Sequence, residues 1–119
     1  MTHIDLTGKN ILITGASKGI GEGIADYAMQ MGAKVAVHYN SDKASADALV
    51  GKYPEAYSKT FHADLSKTQD VVNLFENVVK EFGTIDTIIL NAGVFQQHST
   101  KDNLDDWLKV WKSTLAINL

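Results

Sequence analysis

Residues 14–21 read Thr-Gly-Ala-Ser-Lys-Gly-Ile-Gly and lie between an apolar run, Asn-Ile-Leu-Ile-Thr (10–14), and a stretch with helical spacing (23–31). Three glycines at a strand-to-helix turn constrain the fold more than any other feature of the chain. Without side chains, a backbone at such a turn can come close to a phosphate, and the free amides of the helix start face its charge. Glycines also serve ordinary tight turns, so position has to carry the weight.

The rest of the chain sets that position. Strand-like runs recur at 34–39 (Lys-Val-Ala-Val-His-Tyr), 57–63 and 85–90, and helix-like stretches at 42–52 and 66–83. Gly32 is placed as the residue that closes the first helix, and Ser41 or Asp42 as the cap of the second. Ser66 and Gln69 have capping-box spacing ahead of an apolar face of Val71, Val72, Leu74, Phe75, Val78, Val79 and Phe82, with Gly83 as the stop. Near-continuous aliphatics at 85–90 predict a strand covered on both sides. A last helix is expected from near Asp102, carrying Leu104, Trp107, Leu108, Trp111 and Leu115. Strands alternating with helices predict an α/β fold, a parallel sheet with right-handed crossovers and helices on both faces.

Composition closes off other classes. The formal net charge of −3 offers no basic field for nucleic acid. No cysteine is present, which removes disulfides and thiolate chemistry and accords with a cytoplasmic location. The aliphatic runs are too short to cross a membrane. His3, His38, His62 and His98 are scattered without ligand spacing, so no metal is expected.

The spacing Thr14-Gly15-x-x-x-Gly19-x-Gly21 resembles the cofactor loop of the short-chain dehydrogenase/reductase family. Three further stretches agree in order: Ala63-Asp64-Leu65 after the third strand; Asn91-Ala92-Gly93 after the fourth; and Trp111 to Asn118-Leu119 at the end. The 3-oxoacyl-acyl-carrier-protein reductases are the branch it looks most like. The resemblance implies a Rossmann-type doubly wound sheet in three α/β/α layers, with the first four strands in the order 3-2-1-4. It implies one dinucleotide-binding domain over 1–119, stopping before the family's catalytic Tyr/Lys segment. It also implies hydride transfer between a nicotinamide and a small carbonyl or alcohol substrate, in an intact protein that forms a homo-oligomer.

Carried over residue by residue, the cofactor site comprises Thr14, Gly15, Ser17, Lys18, Gly19, Ile20, Gly21, Tyr39, Asn40, Ser41, Asp64, Leu65, Asn91, Ala92 and Gly93. An acidic residue at the end of the second strand would select NAD(H), but that place falls at Tyr39. Asn40 and Ser41 can donate to a 2′-phosphate and Lys18 adds positive charge, so NADP(H) is expected over NAD(H). Asp42 is the opposing feature, read here as a helix cap. Of the family's catalytic groups only Asn118 has a counterpart. One Tyr-x-x-x-Lys match exists, Tyr39 to Lys43, but it runs from a strand end to a helix start and lies at the adenosine end. The 119-residue chain alone is therefore expected to be inactive. Another possibility, of a different class, is a catalytically inactive dinucleotide-binding sensor or assembly module.

Overall fold

A computed structural model describes residues 4–91, so the expectations placed on Ala92, Gly93, the Trp107–Trp111 helix and Asn118 lie outside the described residues. Four strands are present: β1 (Asn10–Ile13), β2 (Lys34–Tyr39), β3 (Lys59–His62) and β4 (Thr87–Ile89). Helices α1 (Gly19–Gln30), α2 (Lys43–Gly51) and α3 (Thr68–Phe82) connect them, with a short 3-10 turn at Pro54–Ala56. All three strand pairs are parallel, in the order β3-β2-β1-β4. Among the described residues no helix is long and apolar enough to cross a membrane.

Strand alternation sorts the core into two layers. Ile11, Ile13, Val35, Val37 and Tyr39 face one way, onto Ala25, Ala28 and Met29 of α1 and Ala46 and Leu49 of α2. Leu12 and Ala36 face the other, onto Val71, Leu74, Phe75 and Val78 of α3. The spacing of those four α3 positions makes one helix face, and each fully buried Val, Leu or Phe contributes about 1.5–3 kcal/mol. Sandwiched between helices, β1 and β2 lose nearly all contact with solvent. β4 is less covered than its aliphatic sequence predicts: Ile88 and Ile89 are half-buried on opposite core layers, and Leu90 is exposed.

The local stop signals act as their chemistry requires. At the end of α1, Gly32 has φ +99°. Its amide donates to the Met29 carbonyl at 3.1 Å and the Ala33 amide to the Ala28 carbonyl at 3.0 Å, the paired bonds of a Schellman turn. The Asp42 side chain caps α2 by accepting from the Ser45 amide at 3.0 Å. Asn10 ties the end of α3 to the start of β1, its side-chain amide donating to the Phe82 and Thr84 carbonyls.

The expected capping box of α3 is not formed. Lys67 holds the N-cap position without a side-chain bond, and Gln69 donates to Asn73 instead. Ser66 turns back toward Asp64, whose Oδ1 accepts both its amide and its hydroxyl, at 3.0 and 2.6 Å. The hydroxyl that would have accepted from a first-turn amide instead donates to a carboxylate two residues upstream, a charge-assisted bond, and the local turn forms.

Tyr57 stands at φ +57° with its side chain 74% exposed. A non-glycine residue there costs about 1–2 kcal/mol of backbone strain, and little packing would be lost with the ring. Tyr57→Gly is expected to raise stability by about 0.5–1 kcal/mol, after the entropy glycine adds to the unfolded chain. A thermal melt checks this, and a lower Tm in the variant would show that the ring is held by contacts.

Candidate functional site

The C-terminal ends of β1, β2 and β4 converge on the glycine turn. Parallel β1 and β4 bring Asn91 beside Thr14 and Gly15, while parallel β1 and β2 bring His38 up on the other side. The Thr14 amide donates to the Ile89 carbonyl, and the Asn91 amide to Thr14 Oγ1 at 3.0 Å. The Asn91 side chain donates from Nδ2 to the Gly15 carbonyl at 3.2 Å. On the opposite side the Gly15 amide donates to His38 Nδ1 at 2.8 Å, and the Ala16 amide to the His38 carbonyl at 2.9 Å. Both ends of the Gly15 residue are thus fixed, one by each neighbouring strand.

Each glycine of the turn has a separate reason to be one. Gly15 (φ +61°) and Gly19 (φ +65°) need the left-handed region. A Cβ on Gly21 would stand 2.5 Å from the Gly15 carbonyl oxygen and 2.8 Å from Asn91 Nδ2, so α1 packs against the turn only without it. A Cβ on Gly19, by contrast, would meet nothing within 4 Å. The space in front of Gly19 is open.

That space adjoins the start of α1. Lys18, the N-cap residue, makes no side-chain capping bond, which leaves first-turn amides for an external acceptor. Ser17 is 5% exposed and lines the cleft, and its hydroxyl has no hydrogen bond among the described residues. A buried hydroxyl, uncapped helix amides and an absent Cβ form a cradle suited to a phosphate.

The cleft has a volume of about 200 Å³ and is lined by Gly15, Ser17, Lys18, His38, Asn40, Ser41, Asp42 and Asn91. Pockets for drug-sized ligands run to about 300–1,000 Å³, so this one is smaller than a site that encloses such a ligand. Lys18, Asn40 and Ser41 are exposed at its rim. Asp42 also faces it, but Ser45 engages both carboxylate oxygens, through its amide at 3.0 Å and its hydroxyl at 2.7 Å. Those bonds hold the Asp42 carboxyl below its usual range, with Lys18 a smaller contribution, so it stays charged near neutrality.

Of the residues read from sequence, the structure gathers Gly15, Ser17, Lys18, Asn40, Ser41 and Asn91 at the cleft, with Thr14, Gly19 and Gly21 building the turn. Ile20 is 77% exposed on the first turn of α1. Tyr39 is not among the lining residues: its ring is buried with Ala46 and Leu49 and tilted against His62, centroids 5.5 Å apart. Leu65 is buried beside Leu74 and Phe75 in the α3 layer. Asp64 stands outside the cleft lining, its carboxyl lowered chiefly by the Ser66 hydroxyl and amide. Among the described residues, no three His, Asp or Glu side chains gather to hold a metal.

Sequence reasoning passed over His38, which had appeared only as one of four scattered histidines. The available signal was a polar side chain at the end of an otherwise apolar buried strand, where each ring nitrogen must find a partner.

A profile of the family described as short chain dehydrogenase matches residues 9–119. The chain belongs to that family. It is 36% identical over 115 residues to a 3-oxoacyl-acyl-carrier-protein reductase of Staphylococcus epidermidis, covering 93% of this chain and 45% of the other. Among solved structures it resembles a short-chain dehydrogenase from Burkholderia cenocepacia J2315 in complex with NADP, with TM-score 0.76 and 31% identity, covering 96% and 52% of the two chains. An NADH-dependent reductase responsible for alginate metabolism matches at TM-score 0.75 and 30% identity, covering 96% and 52%. The chain spans less than half the length of the curated relatives it matches.

Gly21→Ala forces a methyl into the Gly15 carbonyl and the Asn91 amide, an overpacking cost of about 1–3 kcal/mol. The expected result is a denaturant midpoint lowered accordingly, with an unchanged m-value. A midpoint equal to wild type would show that α1 can draw back from the turn.

Proposed function

We propose that the cleft binds NADP(H) and that this chain carries the cofactor-binding portion of a short-chain dehydrogenase/reductase. The protein would transfer hydride between the nicotinamide and a small carbonyl or alcohol substrate. The observation that carries this reading is the phosphate cradle in front of Gly19. When bound, the nicotinamide would supply the hydride; the residues here would supply its binding and orientation. Gly15 and Gly21 shape the turn, the first amides of α1 and the Ser17 hydroxyl receive the pyrophosphate, and Asn91 holds the turn from the β4 side.

Choice between the two nicotinamide cofactors falls to the rim. Lys18, Asn40 and Ser41 offer a positive charge and two neutral donors where an adenosine ribose would lie, which favours a 2′-phosphate. Asp42 opposes it, but its oxygens are committed to Ser45. The S. epidermidis reductase adds a 3-oxoacyl thioester to the carbonyl substrates worth assaying. A cytoplasmic homo-oligomer, with no nucleic-acid or membrane partner, completes the proposal.

The family's serine and Tyr-x-x-x-Lys pair have no counterpart suited to proton transfer in these residues. Tyr39 is buried at the end of β2, and Lys43 begins α2 with its ammonium on Asp47 at 2.6 Å. Asn118 is proposed as the catalytic-site asparagine. These 119 residues by themselves are proposed to bind cofactor without turnover, the behaviour that an inactive sensor module would also show.

Two substitutions test the site by calorimetric titration. Gly19→Val fills the open space, and NADP+ affinity is expected to fall by at least about tenfold, equivalent to 1.4 kcal/mol. Unchanged affinity would mean that the cradle is only structural. Asn40→Asp places a carboxylate at the rim, where like-charge repulsion should weaken NADP+ by about tenfold and leave NAD+ within about twofold. Equal losses for both would remove the 2′-phosphate from this rim.

A further inference from the structure

His38 is fully buried at the end of β2, yet it reaches the turn and the cleft. Both ring nitrogens have backbone partners whose roles are fixed. The Gly15 amide can only donate, so Nδ1, 2.8 Å away, must be the acceptor. The Ala63 carbonyl can only accept, so Nε2, 2.9 Å away, must carry the proton. Geometry therefore selects one neutral tautomer. That ring links the glycine turn after β1 to the segment after β3, the two strands that flank β2.

We propose that His38 is a positioning residue of the cofactor cleft: its neutral ring holds the glycine turn in the dinucleotide-binding form, and its protonation releases that turn. This rests on the reading that the cleft holds a nicotinamide dinucleotide. A proton on Nδ1 would set two N–H groups against each other at Gly15, so the bond that fixes the turn on the β2 side is lost. The Ala16 amide bond to the His38 carbonyl and the Asn91 clamp remain, so the turn loosens without the sheet coming apart.

The charged surroundings give the direction. Burial is the largest influence on the ring and pushes it below its ordinary value of 6.5; the Ala63 carbonyl pulls the other way, and His62 on β3 adds to the lowering. Lys18 from the glycine turn and Asp42 at the start of α2 face the same cleft with opposite charge, and Asp64 follows Ala63. Because the folded value lies below the unfolded one, the neutral ring's contribution is present above pH 6.5. It is lost as pH falls from there toward the folded value.

The test is titration of the full chain with NADP+ across pH 8 to 5, confined to conditions where circular dichroism remains native. Wild type is compared with His38→Asn, whose Oδ1 keeps an acceptor for the Gly15 amide but does not titrate, and with His38→Leu, which has no acceptor. Wild-type affinity should weaken by roughly tenfold per pH unit once the ring titrates. His38→Asn should show only the shallower dependence of the ligand's own phosphate, and His38→Leu should bind weakly at every pH. Nitrogen NMR of the ring at neutral pH should show the Nε2–H tautomer.

Matching profiles in wild type and His38→Asn over pH values where nitrogen NMR shows the ring charged, or a ring that stays neutral to the acid limit of the native fold, would overturn the proposal while leaving the cofactor reading intact. So would acid-strengthened binding that His38→Asn abolishes, because the ring would then be a phosphate counter-ion. No NADP+ binding by wild type at any pH would remove the cofactor reading, and the proposal with it. If His38→Leu does not fold, the His38→Asn profile decides alone.

Discussion

The Gly15 backbone is the point on which the site depends. Its amide is held by a side chain at the end of β2 and its carbonyl by one after β4. A left-handed φ is needed to satisfy both at once, and only glycine adopts it without strain. Gly21 then packs onto that same carbonyl, which sets how closely α1 approaches the sheet. The start of α1 is thereby aimed at the cleft with its amides unspent. The sheet's strand order is what makes the clamp possible, since β1 must lie between β2 and β4 for Gly15 to be reached from both sides.

The core supplies the rigidity this arrangement needs. α1 and α2 cover one face of the sheet and α3 the other, so the residues preceding the turn, Leu12 and Ile13, are completely buried on opposite sides. A strand end anchored in two close-packed layers has little freedom to shift, and a loop can be precise only if its anchor is. Polar groups at the strand ends find partners there: both ring nitrogens of His38 are bonded, and the Thr14 hydroxyl oxygen accepts from the Asn91 amide.

Much of the fold was legible because it rests on periodicity and stop signals. β2 falls at 34–39 as expected, Gly32 closes α1, and the helices lie on both faces of a parallel sheet in the order expected. The first helix starts at Gly19, four residues before its apolar spacing begins, where the position of the glycine turn rather than helix propensity marks the start. The failed capping box at Ser66 has a related cause. Sequence shows which residues could pair but not that Asp64 competes for the same serine. At the cleft, the glycines were readable from spacing and Asn91 came through the resemblance, whereas His38 came through neither. Its role arises from parallel register between β1 and β2, and no local pattern encodes that.

The cleft rim shows how one strand end can serve two purposes. Alternation sends Tyr39 into the helix-side core while its neighbours His38 and Asn40 line the cleft. The position that the resemblance points to for ribose recognition is thus used for packing, and the side chains at the cleft rim are those of Asn40 and Ser41. Asp42 follows them with a full negative charge, yet Ser45 takes both of its oxygens for the cap of α2. A carboxylate so engaged can still repel, but it offers a ribose hydroxyl less free acceptor capacity, and Lys18 partly offsets its field. Asn40 and Ser41, each able to donate as well as accept, stand beside Lys18 at the same rim. The need to cap α2 therefore sets how much of Asp42's charge and hydrogen-bonding capacity the cleft rim retains.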